Sequence, residues 1–192
     1  ASADINRIGG MPIGVDEKSI PMVEDDFMQH IFTLDLETMP LLKRTAPKGA
    51  RAMALFVASP SYNEAYTPDN DQAKVLFLSE ADIAKGELEL EDYKPYAEGQ
   101  AMKIIPIELP LAAFAVNSRV SDLKEIHKRI YNAPALAAGE AIWLQGDPDE
   151  GIDYSSGMAN FMLQFDEKFA DLNLGDSGIM YVFDNTAFWQ CY

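Results

Sequence analysis

The feature that most constrains the fold is a pattern that occurs twice. An apolar strand ends in Asp, an intervening segment with a Gly follows, and a second apolar strand carries a Phe near its end. The first copy covers 31–35 and 48–57, and the second covers 161–166 and 172–183. Repetition within one chain is typical of a duplicated structural unit. We therefore expect an internal duplication of an α+β unit; the alternative is two β-hairpins that share only ordinary turn chemistry.

Strand signals are spread along the whole chain. Pro40 and Pro47 predict an interruption between the first two strands, and the polar stretch 59–72 predicts a long surface loop. Glu and Leu alternate over 87–91, which predicts a strand with an acidic outer face. Outside the second copy, the predicted strands are 28–36, 50–57, 74–78, 87–91, one that begins at 142–145, and a terminal strand at 187–192 that buries Phe188 or Trp189.

Helix signals are few. Ser79 and Asp82 have the spacing of a capping box, which predicts a short helix ended by Gly86. One clear helix is predicted at 121–130, where an apolar stripe that includes His127 recurs every three or four residues. Because the strands do not alternate with long helices, a doubly wound parallel sheet is not expected. The prediction is an α+β fold that is strand-rich, with mainly antiparallel sheets and few short helices.

The length of 192 residues suits one domain, 1–192, with possible pseudo-repeats 1–100 and 101–192. No run approaches the roughly 20 apolar residues that a membrane span needs. No signal peptide is visible at the N-terminus, although one could have been removed. Cys191 is the single cysteine, so an internal disulfide is impossible, which fits a reducing compartment. We expect a cytoplasmic protein.

Charge is the strongest compositional signal. The chain has 31 acidic and 15 basic residues, a formal net charge of −16. Such a field repels nucleic acid and anionic membranes and attracts basic partners at salt-dependent rates. Net charge also serves solubility, so it does not identify a partner by itself. We expect neither nucleic acid nor a membrane as a partner.

Two acidic clusters are the candidate partner-binding sites, with a solvated surface as the alternative for each. The first lies on the predicted strand 87–91, and the second is a loop over 147–153. That loop fails the calcium pattern, because Gly151 occupies the fifth position, where a ligand belongs, and no Glu stands at the twelfth. No metal or cofactor is expected. The candidate residues are Glu87, Glu89, Glu91, Asp92, Asp147, Asp149, Glu150 and Asp153.

The sequence carries no recognisable catalytic motif: it has no GxGxxG, P-loop, GxSxG, HExxH or CxxC pattern. His30 and His127 are the two histidines. The position of His127 on an apolar stripe favours a hydrogen-bonded core histidine, and a terminal-strand cysteine is usually a small buried hydrophobe. A Cys191–His pair, or a hydrolase that uses either histidine, stays open as an alternative. We assign no catalytic residue and expect no enzyme.

Several segments carry a resemblance to a known family. They are Trp143-Leu144-Gln145-Gly146-Asp147, the strand end Gln164-Phe165-Asp166, the hairpin Gly175-Asp176-Ser177-Gly178-Ile179-Met180-Tyr181-Val182-Phe183 and the N-terminal Gly9-Gly10-Met11-Pro12. Together they resemble the YwqG-like family of bacterial proteins, most clearly over the last fifty or so residues. The first half departs from the family pattern, because Thr33 stands where that pattern has Gln.

The resemblance implies an α+β fold with internal duplication and no established enzymatic activity. Members of the family also occur beside secreted toxins, including those of type VI systems, as immunity proteins. We therefore expect an immunity protein that occludes a cognate toxin effector, a basic nuclease, with an acidic surface. The alternative is a housekeeping protein of the same family that binds a small ligand or acts as a scaffold without a toxin partner.

Overall fold

The computed structural model describes residues 5–61, 64–68, 70–102, 135–137, 141, 143–145 and 160–191. The predicted helix at 121–130 and the acidic loop at 147–153 lie outside these residues. So do the candidate residues Asp147, Asp149, Glu150 and Asp153, together with His127.

Two antiparallel sheets form the framework of the described residues. The first sheet has the strand order β6-β5-β4-β1-β7, and the second has the order β11-β10-β9-β8. A separate hairpin joins β2 (Met22–Val23) to β3 (Asp26–Phe27). The strands of the first sheet are β1 Arg7–Ile8, β4 Gln29–Asp35, β5 Ala52–Val57, β6 Ala73–Leu78 and β7 Gln100–Ala101, and those of the second are β8 Ala135–Ala137, β9 Phe161–Asp166, β10 Ile179–Phe183 and β11 Ala187–Gln190.

The helices of the described residues are short. A 3-10 helix spans Leu36–Thr38, and three α-helices follow: α1 Pro40–Thr45, α2 Glu80–Ile83 and α3 Glu167–Ala170. The described part of the chain is therefore strand-rich, with antiparallel sheets and few short helices, as the sequence predicted.

Most predicted elements that fall on described residues are confirmed. The predicted strands at 28–36, 50–57 and 74–78 are β4, β5 and β6, and the two strands of the second copy are β9 and β10. The capping box is present: the Ser79 hydroxyl accepts from the Asp82 N–H, and the Asp82 side chain accepts from the Ser79 N–H. The terminal strand buries both Phe188 and Trp189, one on each face of the sheet.

Two predicted strands are wrong. Over 87–91, only Glu87 makes a β-bridge, with Ile13, and the segment is otherwise irregular. Residues 143–145 are not a strand: Leu144 and Gln145 form a bend, and the Leu144 N–H donates to the Tyr181 hydroxyl. Both segments lie across the outer face of a sheet, and 87–91 has the alternating exposure of a strand without pairing as one.

The main core lies between the two sheets. In β5 the side chains alternate: Met53, Leu55 and Val57 face the second sheet, while Ala52, Ala54 and Phe56 face away from it. The second sheet contributes its own inward face, which includes Met180 and Val182 in β10. The two sheets therefore stack face to face.

Each outer face is covered by a smaller cluster. On the first sheet, side chains from 11–28 and 83–93 pack over Phe56 and Leu78. On the second, Trp143 covers an aromatic group of Tyr181, Phe183 and Phe188. The cover of the first sheet carries the polar and charged groups that form the candidate site.

Candidate functional site

The site begins with a β-bulge in β4. His30 pairs with Phe56 and Phe32 pairs with Leu55, so Ile31 is an extra residue without a partner on β5. In a regular strand, residues three apart point to opposite faces, but one inserted residue brings them to the same face. The bulge thus places His30 and Thr33 together on the outer face, with a distance of 2.8 Å between His30 Nε2 and Thr33 Oγ1.

His30 is fully buried and both of its ring nitrogens are engaged. Its Nδ1 lies 3.1 Å from the Gly9 carbonyl oxygen, which can only accept, so Nδ1 carries the proton and Nε2 accepts from the Thr33 hydroxyl. The pKa of His30 is lowered from 6.5 to about 4, mainly by burial and also by the positive charge of Arg7, while hydrogen bonds to Gly10 and Gly9 partly oppose the shift. At neutral pH the side chain is an uncharged structural link.

The loop that starts at Gly9 is fastened to this bulge. The Gly9 N–H donates to the carbonyl oxygen of Ile31 at 2.8 Å, so the bulged residue provides an acceptor for the loop. Gly10 has φ +70°, and a Cβ built on it would lie 2.7 Å from the Cα of Gly99. Glycine is therefore required here both by backbone conformation and by close packing.

An ion pair and a small cavity lie beside the glycine loop. Arg7 Nη1 donates to the Met11 carbonyl oxygen at 3.0 Å and to Glu87 Oε1 at 2.7 Å. The Arg7 side chain is 11% exposed and that of Glu87 is 53% exposed, so a nearly buried cation holds an accessible carboxylate. The cavity has a volume of about 220 Å³ and is lined by Arg7, Gly10, Met11, Glu87, Gly99, Gln100 and Ala101.

The surface around this cavity is strongly acidic. We call residues 11–28 and 79–99 the acidic cap. Side chains from 11–28 and 83–93 pack together over the outer face of the first sheet, while Tyr96 packs against the core between the sheets. The two segments are joined by backbone hydrogen bonds from Gly14 to Gly86 and from Leu88 to Pro12. A salt bridge from Lys85 to Asp16 adds to them. The acidic cap contains twelve acidic and three basic residues, so it carries more than half of the net charge of −16 in 39 residues.

The structure places four of the predicted site residues in the acidic cap. Glu87, Glu89, Glu91 and Asp92 are all exposed, but they project from an irregular segment and not from the predicted strand face. Glu87 is bound to Arg7. Within the described ranges, no salt bridge engages Glu89, Glu91 or Asp92.

Other members of the acidic cap were not predicted. The β2–β3 hairpin presents three consecutive exposed carboxylates at its turn, Glu24, Asp25 and Asp26. Asp16 is exposed and salt-bridged to Lys85, and Glu17 beside it is also exposed. The acidic run at 24–26 was the available signal. The run 24–26 and the segment 87–92 belong to one surface because of contacts between residues more than fifty positions apart, which no local pattern shows.

The described residues do not offer His30 as a general base, because it is buried and hydrogen-bonded on both nitrogens. Cys191 is half-buried, and its sulfur lies beside Gly175 at the end of the second sheet.

Across the described ranges, no group of three or more His, Cys, Asp or Glu side chains is arranged to hold a metal ion. No helix in this part of the chain combines the length and apolar character needed to cross a membrane.

Comparison with protein families, with curated proteins and with solved structures finds no match for this chain. The predicted YwqG-like resemblance therefore stays a prediction.

Proposed function

We propose that the chain is an immunity protein that binds a basic toxin effector through the acidic cap and blocks it without turnover. The acidic cap is the observation that carries this proposal: eleven of its twelve acidic residues are exposed, and three basic residues oppose them. A basic nuclease active-site surface is the kind of partner that such a face complements. The site of action is the cytoplasm in this proposal.

The mechanism is steric and electrostatic occlusion. Carboxylates on one face attract a cationic partner and speed its association, which falls with ionic strength. The apolar contacts beneath the acidic cap, including Leu88 and Tyr93, fix its backbone, so the charges are positioned before binding. A preformed surface loses less conformational entropy on binding than a flexible one does.

The test is retention of partners from the native organism's lysate at low and at high salt, with identification by mass spectrometry. The triple variant Glu89→Lys, Glu91→Lys, Asp92→Lys reverses charges in the acidic cap. A control with the same charge change, Glu64→Lys, Asp71→Lys, Asp176→Lys, alters exposed residues elsewhere. We expect a basic protein to be held by the wild type and the control and lost by the cap variant. Equal retention by all three contradicts the proposal.

A second candidate is a housekeeping YwqG-like protein that binds a small ligand or acts as a scaffold without a toxin partner. The cavity beside Arg7 is the observation that favours it. The absence of any specific protein partner, with the effector shown to be expressed, would favour this second function.

We also propose that the two sheets descend from a duplicated unit. The support is their identical register. In both, a strand carries one bulged residue four positions before its final Asp: Ile31 before Asp35, and Met162 before Asp166. Each Asp then caps a short helix with its side chain. Five successive residue pairs of β4 and β5 correspond to five of β9 and β10. They are Asp35↔Ala52 and Asp166↔Ile179, Leu34↔Met53 and Phe165↔Met180, Thr33↔Ala54 and Gln164↔Tyr181, Phe32↔Leu55 and Leu163↔Val182, and His30↔Phe56 and Phe161↔Phe183.

The flanking strands follow the same correspondence. β1 pairs with β4 as β8 pairs with β9, and β6 pairs with β5 as β11 pairs with β10. A relative with a single unit that forms a two-fold dimer through the face of Ile31 and Phe32 would support descent by duplication. Relatives in which just one unit keeps the bulge and the capping Asp would contradict it. The predicted boundary at residue 100 falls within β7, which belongs to the first sheet.

A further inference from the structure

We propose that the cavity beside the Arg7–Glu87 ion pair is a socket for one cationic side chain of the partner, an arginine. This inference rests on the proposed function, because it names the contact through which the acidic cap grips a basic protein. Glu87 is the anchoring carboxylate in the socket, and Arg7 is the residue that positions it.

The size and the walls of the cavity suit a single long side chain. Its volume is about 220 Å³, and since a water molecule takes roughly 30 Å³ of liquid, it has room for several waters or one extended chain. Gly10 and Gly99 meet backbone to backbone on one side, and β7 lies on another. The Met11 side chain supplies an apolar surface for the methylene stem of the incoming residue.

Glu87 is held ready for such a ligand. Arg7 is nearly buried and is fixed by two bonds from the same nitrogen, to Met11 and to Glu87 Oε1. An ionised carboxylate has about four acceptor positions on its two oxygens, so one bond from Arg7 leaves acceptors on a side chain that is 53% exposed. Because the carboxylate is already positioned, a second cation binds without the entropic cost of ordering it.

The surrounding charge selects a cation. Arg7 and Glu87 neutralise each other, whereas the other residues of the acidic cap have an excess of eight negative charges. An anion or a neutral group gains nothing from this field. A guanidinium adds a planar set of five donors that fits carboxylate and amide oxygens, and Gln100 brings an amide to the cavity wall.

Comparison of the two units indicates that the fold does not require a charged side chain at the position of Arg7. By register, Arg7, His30 and Thr33 of the first unit correspond to Leu136, Phe161 and Gln164 of the second. Where the second unit covers its outer face with aromatic side chains, the first has a buried histidine and a charged arginine. The second unit keeps the same strand register with Leu136 at the position of Arg7, whereas Gln164 keeps a polar side chain at the position of Thr33. We therefore attribute the charged arginine to recognition.

The experiment uses the full chain and a probe in place of the partner. Nα-acetyl-L-arginine amide is titrated into isotope-labelled protein, and amide shifts are followed by NMR. The control ligand is the citrulline analogue, which has the same shape without the charge. We expect saturable shifts at Gly10, Gly99 and Gln100 with the arginine probe alone, and about fivefold weaker binding in Glu87→Gln, the change that loss of roughly one kcal/mol produces.

Glu89→Gln is the matched control, since Glu89 is an exposed acidic-cap residue outside the cavity lining. It should bind the probe about as well as the wild type does. Glu87→Asp keeps the charge but shortens its reach, and an intermediate affinity is expected. Two results would overturn the socket. One is a set of chemical-shift changes that spreads over the acidic cap and is unchanged in Glu87→Gln; the other is equal affinity for the citrulline analogue.

The failure of the socket is distinguishable from failure of the proposed function. If Glu87→Gln retains the basic partner as the wild type does, while the triple lysine variant of the acidic cap loses it, the socket is wrong and the immunity proposal stands. If the probe occupies the cavity as expected but no variant affects a partner, the immunity proposal is wrong and the cation site stands.

Discussion

At the scale of single residues, His30 shows why a polar side chain can occupy a core position. Its Nδ1–H and Nε2 are both hydrogen-bonded, and its backbone N–H donates to the Tyr93 hydroxyl at 2.9 Å. A buried polar group without such partners costs free energy, whereas a satisfied one fixes a unique arrangement. The sequence placed His30 at the start of a strand, but the bulge that satisfies it depends on the pairing with β5 and was not predictable.

We predict that protonation of His30 destabilises the fold. Its pKa is about 4 in the folded state and 6.5 when unfolded. The unfolded chain therefore binds the proton more tightly. The contribution of neutral His30 to the free energy of unfolding is complete above pH 6.5 and is lost as the pH falls toward 4. The expected loss is about 3 kcal/mol, measured as the free energy of unfolding in urea across this range.

Two variants test the role of His30: Thr33→Val removes its hydrogen-bond donor, and His30→Gln is the control for its titration. Thr33→Val removes the hydroxyl that donates to Nε2 and keeps the shape of the side chain, so stability at neutral pH should fall by about 1 kcal/mol. Replacement of His30 by Gln removes the titrating group. A pH dependence between 6.5 and 4 that is as steep in His30→Gln as in the wild type would show that other groups cause it.

We predict that Gly10→Ala is far more destabilising than Gly49→Ala. Both glycines have positive φ, +70° and +92°. At Gly49 the added Cβ meets nothing within 4 Å, so the cost is backbone strain of about 1 kcal/mol. At Gly10 it would strike the Gly99 backbone at 2.7 Å, which should add roughly 2 kcal/mol or more of steric strain. Chemical denaturation of the two variants measures the difference, and equal costs would refute the close packing of the loop.

At the scale of elements, local chemistry predicted what local forces determine. The Ser79–Asp82 capping box was predicted from its spacing and is present. Helix α1 was missed, because Pro40 was interpreted as an interruption. At the first position of a helix, however, its missing N–H costs nothing and its fixed φ is already helical. The error at 87–91 has another cause: Leu88 is buried beneath exposed neighbours because the segment crosses a core, and no strand pairs with it there beyond Ile13.

We predict that Ser79→Ala lowers the free energy of unfolding by about 1 kcal/mol, the usual contribution of an N-cap. Hydrogen bonds from the Ser79 hydroxyl and N–H, in that order, lower the pKa of Asp82 to about 2, and Lys85 contributes further. In Ser79→Ala this pKa should rise toward its ordinary value, which an NMR titration of the carboxyl would show. Ser79→Thr keeps the hydroxyl and should leave both quantities near those of the wild type. If the pKa of Asp82 in the alanine variant equals that of the wild type, the Ser79 hydroxyl does not stabilise the carboxylate.

At the scale of the whole molecule, the sequence showed the charge but not its assembly. Composition gave the net charge of −16, and the acidic run 87–92 was recognised as a cluster. That this run lies against residues 11–28 follows from the Ile13–Glu87 bridge and the shared core of Val15, Leu88 and Tyr93. Such long-range contacts depend on packing of the complete fold, so the acidic cap could not be located from the sequence.

We predict that salt stabilises the protein, because like charges within the acidic cap repel one another. Raising the NaCl concentration from about 0.02 M to about 0.5 M should increase the free energy of unfolding by roughly 1 kcal/mol, since the screening length falls below the spacing of most surface charges. The variant Glu24→Lys, Glu89→Lys should show a weaker salt dependence than Glu64→Lys, Asp71→Lys, which changes charges outside the acidic cap. An equal dependence in the two variants would show that repulsion is spread over the whole surface.

The inward faces of the two sheets pack against each other in one core, so we predict one cooperative unfolding transition for both. Phe32 in the first sheet meets Phe165 in the second edge to face, with ring centroids 5.8 Å apart, and both side chains are fully buried. A double-mutant cycle of Phe32→Leu and Phe165→Leu should give a coupling energy of about 1 kcal/mol. Each single variant should shift the denaturation curves of both sheets, because a face that loses its partner exposes apolar surface on either side. If a variant at Phe165 unfolds the second sheet while the amides of β4 and β5 stay protected from hydrogen exchange, the two sheets are independent units. In that event the two sheets would share a register without energetic dependence of one on the other.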